Sequence, residues 1–152
     1  MSYWRLFYHI TWATKSREPL IDAGFETSLH NVIVAKATDL GAFVYAVGGT
    51  EDHIHLVASV PPALALAKFV AQVKGSSSHF VNHGLSTPYH FSWQSGYGIV
   101  SFGGKQLDTV VKYVKNQRQH HHESTIISFL ERVQADSAGP KPRPKRAKPL
   151  QG

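Results

Sequence analysis

Two runs of β-forming apolar residues, AFVYAVGG (42–49) and HIHLVASV (53–60), are separated by only Thr50, Glu51 and Asp52. A parallel pair needs a crossover of a dozen or more residues, so this connection admits only an antiparallel hairpin. The segments on either side then set the outline of the fold. Upstream, YWRLFYHITWAT (3–14) is aromatic and β-branched with partial alternation and reads as a strand, which Pro19 in the following loop helps to end. A helix is expected over 23–40, with Asp22 as its N-cap, Phe25, Leu29, Val32, Ile33 and Ala37 as its apolar positions, and Gly41 closing it. After Pro61 and Pro62, ALALAKFVAQVKGSSSHFVN reads as a second helix, weakened near Gly75. YHFSWQSGYGIVSFG (89–103) supplies one more strand, or two short ones. A third helix is expected from Lys105 to His122, with Leu107, Val110, Val111 and Val114 as its stripe, and a short helical piece over 124–135.

The resulting order, β-α-β-β-α-β-α, is that of an α+β fold. It predicts a ferredoxin-like (RNA-recognition-type) four-stranded antiparallel sheet with helices packed on one face. One domain is expected over 1–136, followed by a basic, proline-rich and disordered tail over 137–152. The formal charge of +6 suggests a nucleic-acid partner, but Lys141, Arg143, Lys145, Arg146 and Lys148 carry all but one unit of it. The charge therefore belongs to the tail, which reads either as a solubilising end or as a phosphate-binding arm. The absence of cysteine excludes a disulfide framework, a thiolate nucleophile and a thiolate zinc site. No apolar run reaches membrane-spanning length, and the N-terminus lacks the pattern of a signal peptide, so a cytoplasmic location is expected.

Chemistry first becomes visible in the hairpin. Residues two apart on a strand share a face, so His53 and His55 project together while Ile54 and Leu56 point the other way. Two imidazoles at this spacing can reach one metal ion; they can equally be two hydrogen-bonded histidines on an open sheet face. On the third helix, Tyr113 and Gln117 in KYVKNQ lie one turn apart beside the apolar stripe. Taken alone they read as a rim tyrosine and its solvated neighbour. Lys105, Lys112 and Lys115 are either a solvated face or phosphate contacts, as are Arg143, Lys145 and Arg146 in the tail. His9, His30, His79, His83 and His90 show no spacing that singles them out, although His79 and His83 are four apart, and His120 to His122 sit at an expected helix end. Gly103 and Gly104, just before the third helix, read as a hinge or as a plain turn.

In combination, GGTEDHIHLVASV, then WQSGYGIVSF, then YVKNQ resemble the IS200/IS605-type single-tyrosine transposases of the histidine-hydrophobe-histidine nuclease superfamily. The opening YHITWATKSREPLI and the basic tail are similar to the domesticated branch associated with repetitive extragenic palindromes. The likeness runs from Tyr3 to Gln117 in the expected order. It implies that His53 and His55 bind a divalent metal, Mg2+ or Mn2+, with Gln117 as third protein ligand and Tyr113 as nucleophile. It further implies cleavage and strand transfer on single-stranded DNA hairpins through a covalent 5′-phosphotyrosine. It implies as well a homodimer whose tyrosine helix can complete the partner's active site, working in the cytoplasm at the nucleoid. The rival readings are a hairpin-binding module without chemistry and a metal-dependent phosphodiesterase in which Tyr113 is structural.

Overall fold

In the computed structural model, residues 2–117 are described. The strands are β1 (Phe7–Ala13), β2 (Phe43–Gly49), β3 (His53–Ser59) and β4 (Gly98–Phe102), and the helices are α1 (Glu26–Asp39), α2 (Leu66–His79) and α3 (Leu107–Lys115). The strands form one antiparallel sheet in the order β2-β3-β1-β4. The expected tail, the helical piece over 124–135, His120 to His122, and Arg143, Lys145 and Arg146 lie outside the described residues.

Alternation along the strands assigns each sheet face its own task. Ile10 and Trp12 of β1 and Ile54, Leu56 and Ala58 of β3 join Leu29, Ile33 and Ala37 of α1 and Phe69, Val70 and Val73 of α2 in the main core. This is the expected sheet with helices on one face. The third helix lies over the opposite face, where Val110, Tyr113 and Val114 pack on Ala46 and Val57. Every residue of β3 is buried in consequence, histidines included.

Several boundaries move for local reasons. β1 begins at Phe7 and not at Tyr3, which is 85% exposed. Asp22 does not cap α1: its carboxylate accepts from the Gly24 amide at 2.7 Å in a turn, and the helix starts at Glu26. Gly75 does not break α2, which ends in a π-helical turn over Phe80–Gly84. Only the last part of 89–103 becomes a strand. Phe91 and Trp93 are held to α2 by side-chain bonds instead: Asn82 bonds both the amide and the carbonyl of Phe91 at 2.8 Å, and the Trp93 indole N–H donates to Ser77 Oγ at 3.0 Å.

Candidate active site

The two histidines of β3 point to the α3 face, beside His9 and Thr11 of the neighbouring β1. His53 is 3% exposed and His55 fully buried, with ring centroids 4.9 Å apart. The open, solvated face of the alternative reading is therefore absent here, because α3 covers it.

Each ring is oriented by a neighbour. His53 Nδ1 lies 2.6 Å from Asp52 Oδ1 and 2.9 Å from Thr50 Oγ1. The carboxylate can only accept, so His53 Nδ1 carries a proton, and in the neutral ring Nε2 is left with the lone pair. Burial alone would raise the Asp52 carboxyl, but the hydrogen bond and charge of His53, together with Arg17 and Thr50, hold it below its ordinary 3.8. Arg17 Nη1 stands 3.6 Å from that carboxylate. It is brought there by a tight turn in which Ser16 and Arg17 both take left-handed backbone angles, a conformation that costs a non-glycine residue about 1–2 kcal/mol. His55 Nδ1 is 2.7 Å from His9 Nε2.

The third element arrives from α3. Its stripe of Val110, Tyr113 and Val114 seats the helix on β2 and β3 and carries Gln117 to the histidines. Gln117 is 2% exposed. Its amide N–H2 donates to Tyr113 O at 3.2 Å, which leaves Oε1 facing His53 Nε2 at 3.4 Å. With His53 neutral and its proton on Nδ1, two lone-pair atoms face each other across 3.4 Å. Two ligands of one octahedral cation at about 2.1 Å would stand about 3.0 Å apart, so the spacing fits a shared divalent ion with little adjustment. Among the described residues no third histidine, cysteine or carboxylate joins the pair. The further donor on hand is an amide oxygen, and this set suits a hard, exchangeable ion better than a zinc cage. The Tyr113 ring lies 6.0 Å from that of His55 and is 3% exposed.

All four residues singled out from the sequence for catalysis or metal binding, His53, His55, Tyr113 and Gln117, therefore meet in one place. Lys105, Lys112 and Lys115 are exposed. Lys115 lines a cleft of about 340 Å3 beside Gln117, together with Glu26, His30, Gly48 and Gly49. Gly103 and Gly104 lie between β4 and α3, and Gly104 opens a short 3-10 turn. Three contributors are not singled out by the sequence patterns: Asp52, His9 and Gly48. The carboxylate next to His53 was a signal in plain view. His9 could have been found from alternation in β1, which puts it on the face away from Ile10 and Trp12.

Comparison with known proteins bears on the family and the fold. Residues 2–117 match the family model described as IS200-like transposase. The chain is 25% identical to the ISDra2 transposase TnpA of Deinococcus radiodurans over 119 residues, 75% of this chain and 85% of that protein. Among solved structures it resembles one from Deinococcus radiodurans assigned as a transposase, with a TM-score of 0.59 and 24% identity over 77% of this chain and 95% of that one. A tyrosine transposase associated with REP elements, solved bound to a REP hairpin, also superposes with a TM-score of 0.59, at 17% identity over 80% of this chain and 74% of the other. At these identities the two structures speak for the fold; the family match over 2–117 is what establishes that the chain belongs to the IS200-like transposases.

Proposed function

We propose that this protein cleaves and rejoins single-stranded DNA at hairpin-bearing sites, with Tyr113 as the nucleophile and a divalent ion, Mg2+ or Mn2+, held by His53, His55 and Gln117. The observation that carries the reading is the 3.4 Å approach of His53 Nε2 to Gln117 Oε1 beside a buried second histidine, on the helix turn that also holds Tyr113. When bound, the ion would neutralise charge on the scissile phosphate and favour in-line attack. Hairpin recognition is supported by the REP-hairpin complex of the structural relative. The reading also takes in a homodimer and action at the nucleoid in the cytoplasm.

The chain's own residues account for the rest. The Tyr113 phenol oxygen gives up its proton and forms a bond to the phosphorus on the 5′ side of the break, while the bond from that phosphorus to the 3′ oxygen breaks and the 3′ oxygen takes up a proton to leave as a hydroxyl. The phosphotyrosine ester keeps the energy of the broken linkage, so a second 3′-hydroxyl can reverse the step without ATP. A hydrolase would lose that energy to water. This difference favours strand transfer over phosphodiester degradation. Tyr113 is packed against the sheet, so a phosphate reaches it only through a local opening around its ring, and the Gly103–Gly104 link before α3 can give that freedom while Gln117 stays with the ion. Lys105, Lys112 and Lys115 stand along the helix as phosphate contacts, with Arg143, Lys145 and Arg146 of the tail as a second set.

The test is a denaturing gel of the full chain with labelled single-stranded hairpins from beside its own gene, in Mn2+. A covalent band in wild type that disappears in Tyr113→Phe is the expected result. Tight binding without any adduct across several such hairpins would point instead to a binding module. Cleavage that survives Tyr113→Phe would point to a phosphodiesterase.

A further inference from the structure

His53 and His55 are oriented by partners of different kinds. A metal-binding histidine ordinarily donates its second ring N–H to a carboxylate, carbonyl or water, which fixes the tautomer. His53 follows that pattern with Asp52. The partner of His55 Nδ1 is another imidazole, Nε2 of His9, at 2.7 Å, and both rings are fully buried.

A 2.7 Å N···N contact between neutral rings needs one proton between them, and its position has consequences on both sides. With the proton on His9 Nε2, the single proton of His55 must sit on Nε2, and that nitrogen has no lone pair to offer. With the proton on His55 Nδ1, the Nε2 lone pair of His55 is available and His9 carries its own proton on Nδ1. Only the second arrangement can ligate a cation.

We propose that His9 is a positioning residue: it accepts the Nδ1 proton of His55 and thereby presents the Nε2 lone pair of His55 to the divalent ion. The proposal rests on the reading of His55 as a ligand. A purely space-filling role makes a different forecast. His9 sits in the middle of β1, opposite Val57 and Val100, where a phenyl ring of similar size would pack as well or better. Packing would survive His9→Phe, whereas proton acceptance would not. His9→Gln restores an acceptor at about the reach of Nε2.

The experiment measures Mn2+ affinity of the full chain by electron paramagnetic resonance for wild type, His55→Ala, His9→Phe and His9→Gln. Thermal melts of each accompany it. Alongside, long-range 15N imidazole spectra of the wild type are recorded with Mg2+. The expected results are affinity weakened about tenfold or more in His9→Phe, as for loss of other groups that orient metal ligands, and a near-wild-type value in His9→Gln. The spectra should place the proton on His55 Nδ1, with a scalar coupling across the bond to His9 Nε2. Folded His9→Phe that binds Mn2+ as wild type does, while His55→Ala does not, overturns the positioning role alone. Equal binding by wild type and His55→Ala removes the metal reading and this proposal with it. Should His9→Phe fail to fold, the wild-type spectra decide: a proton on His9 Nε2 at saturating Mg2+ refutes the proposal.

Discussion

Gly48 of β2 lies directly beneath the backbone carbonyl of Val114 in α3, so close that a β-carbon at Gly48 would sit 2.0 Å from that oxygen. Val114 is fully buried, and Gln117, three residues on, faces His53. Absence of a side chain at position 48 is therefore what lets the helix bring its amide to the histidines. Gly48→Ala must push α3 off the sheet, a form of overpacking that costs about 1–3 kcal/mol. Lower stability should accompany weaker Mn2+ binding, measured by thermal melting and by titration. Gly75→Ala is the control. That position is helical with open space around it, so alanine should stabilise by about 0.5–1 kcal/mol. A Gly48→Ala protein as stable and as metal-competent as wild type would show that α3 is not held this closely.

The Asp52–His53 pair makes a prediction with a sign. The Asp52 carboxyl lies below 3.8 in the folded chain, the balance of burial against its His53, Arg17 and Thr50 partners. Between the folded value and 3.8 the unfolded chain binds more protons, so stability rises with pH there. The contribution of Asp52 is therefore fully present above about pH 4 and is lost as pH falls through the folded value. Melting curves from pH 2 to 6 should show this acid limb in wild type and a shallower one in Asp52→Asn. The acceptor that orients His53 is kept as a neutral amide oxygen in Asp52→Asn and lost in Asp52→Ala, so metal affinity at neutral pH should fall about 10- to 100-fold in Asp52→Ala and less in Asp52→Asn. Parallel acid limbs in the two proteins would remove Asp52 from the account.

Asn82 answers to stability instead of catalysis. Its side-chain amide spans both backbone groups of the buried Phe91 and straps the loop before β4 onto α2. Truncation leaves both groups without that partner, at about 1–3 kcal/mol each where no water replaces it. Asn82→Ala should melt earlier by about 2 kcal/mol, with faster amide exchange in residues 85–97 and little change in α3. Exchange unchanged in the loop would mean that its other ties, Trp93 to Ser77, Lys74 to the Gln94 and Gly96 carbonyls and Tyr89 to the Leu20 carbonyl, suffice to secure it.

What could be read from the sequence follows the range of the interactions. Period-two spacing is a local property of one strand, so the shared face of His53 and His55 was legible, as was the i,i+4 relation of Tyr113 to Gln117. That these pairs meet depends on α3 crossing the sheet face opposite α1 and α2, a long-range fact. The residues alone left it open, and the family resemblance supplied it. His9 lies 46 positions from His55, so alternation in β1 gives its face but not the bond between them, which needs the β1–β3 register. The strand expected within 89–103 is β4 over Gly98–Phe102, and the earlier part of that stretch stays outside the sheet but for one bridge between Trp93 and Thr14. Phe91 and Trp93 have β-forming side chains, but they pack between α2 and Trp12 of β1 and pair with the chain after β1 only at Trp93. Asp22 misled in a third way, because an aspartate before a helix can close a turn as readily as cap the helix.

The last prediction concerns whose tyrosine serves which histidines. The family resemblance allows the tyrosine helix to complete the partner's site in a dimer. In this chain the Tyr113 ring is 6.0 Å from the His55 ring and Gln117 reaches His53, all within one polypeptide. Exchanging α3 between protomers would require extraction of Val110, Tyr113 and Val114 from their contacts with Ala46 and Val57. Burial of one such side chain is worth about 1.5–3 kcal/mol, so the exchanged form has to recover several such contacts in the partner. We predict a site built by one chain, which needs no such exchange. Mixing Tyr113→Phe with His55→Ala protein tests this directly. Sites built within one chain leave every protomer defective, and no covalent adduct should appear on hairpin DNA. Sites shared between chains would make half of those in a mixed dimer intact, and adduct would return at a substantial fraction of the wild-type level. Light scattering on the same samples reports whether mixed dimers could have formed, so absence of adduct counts as an answer only where dimers are present.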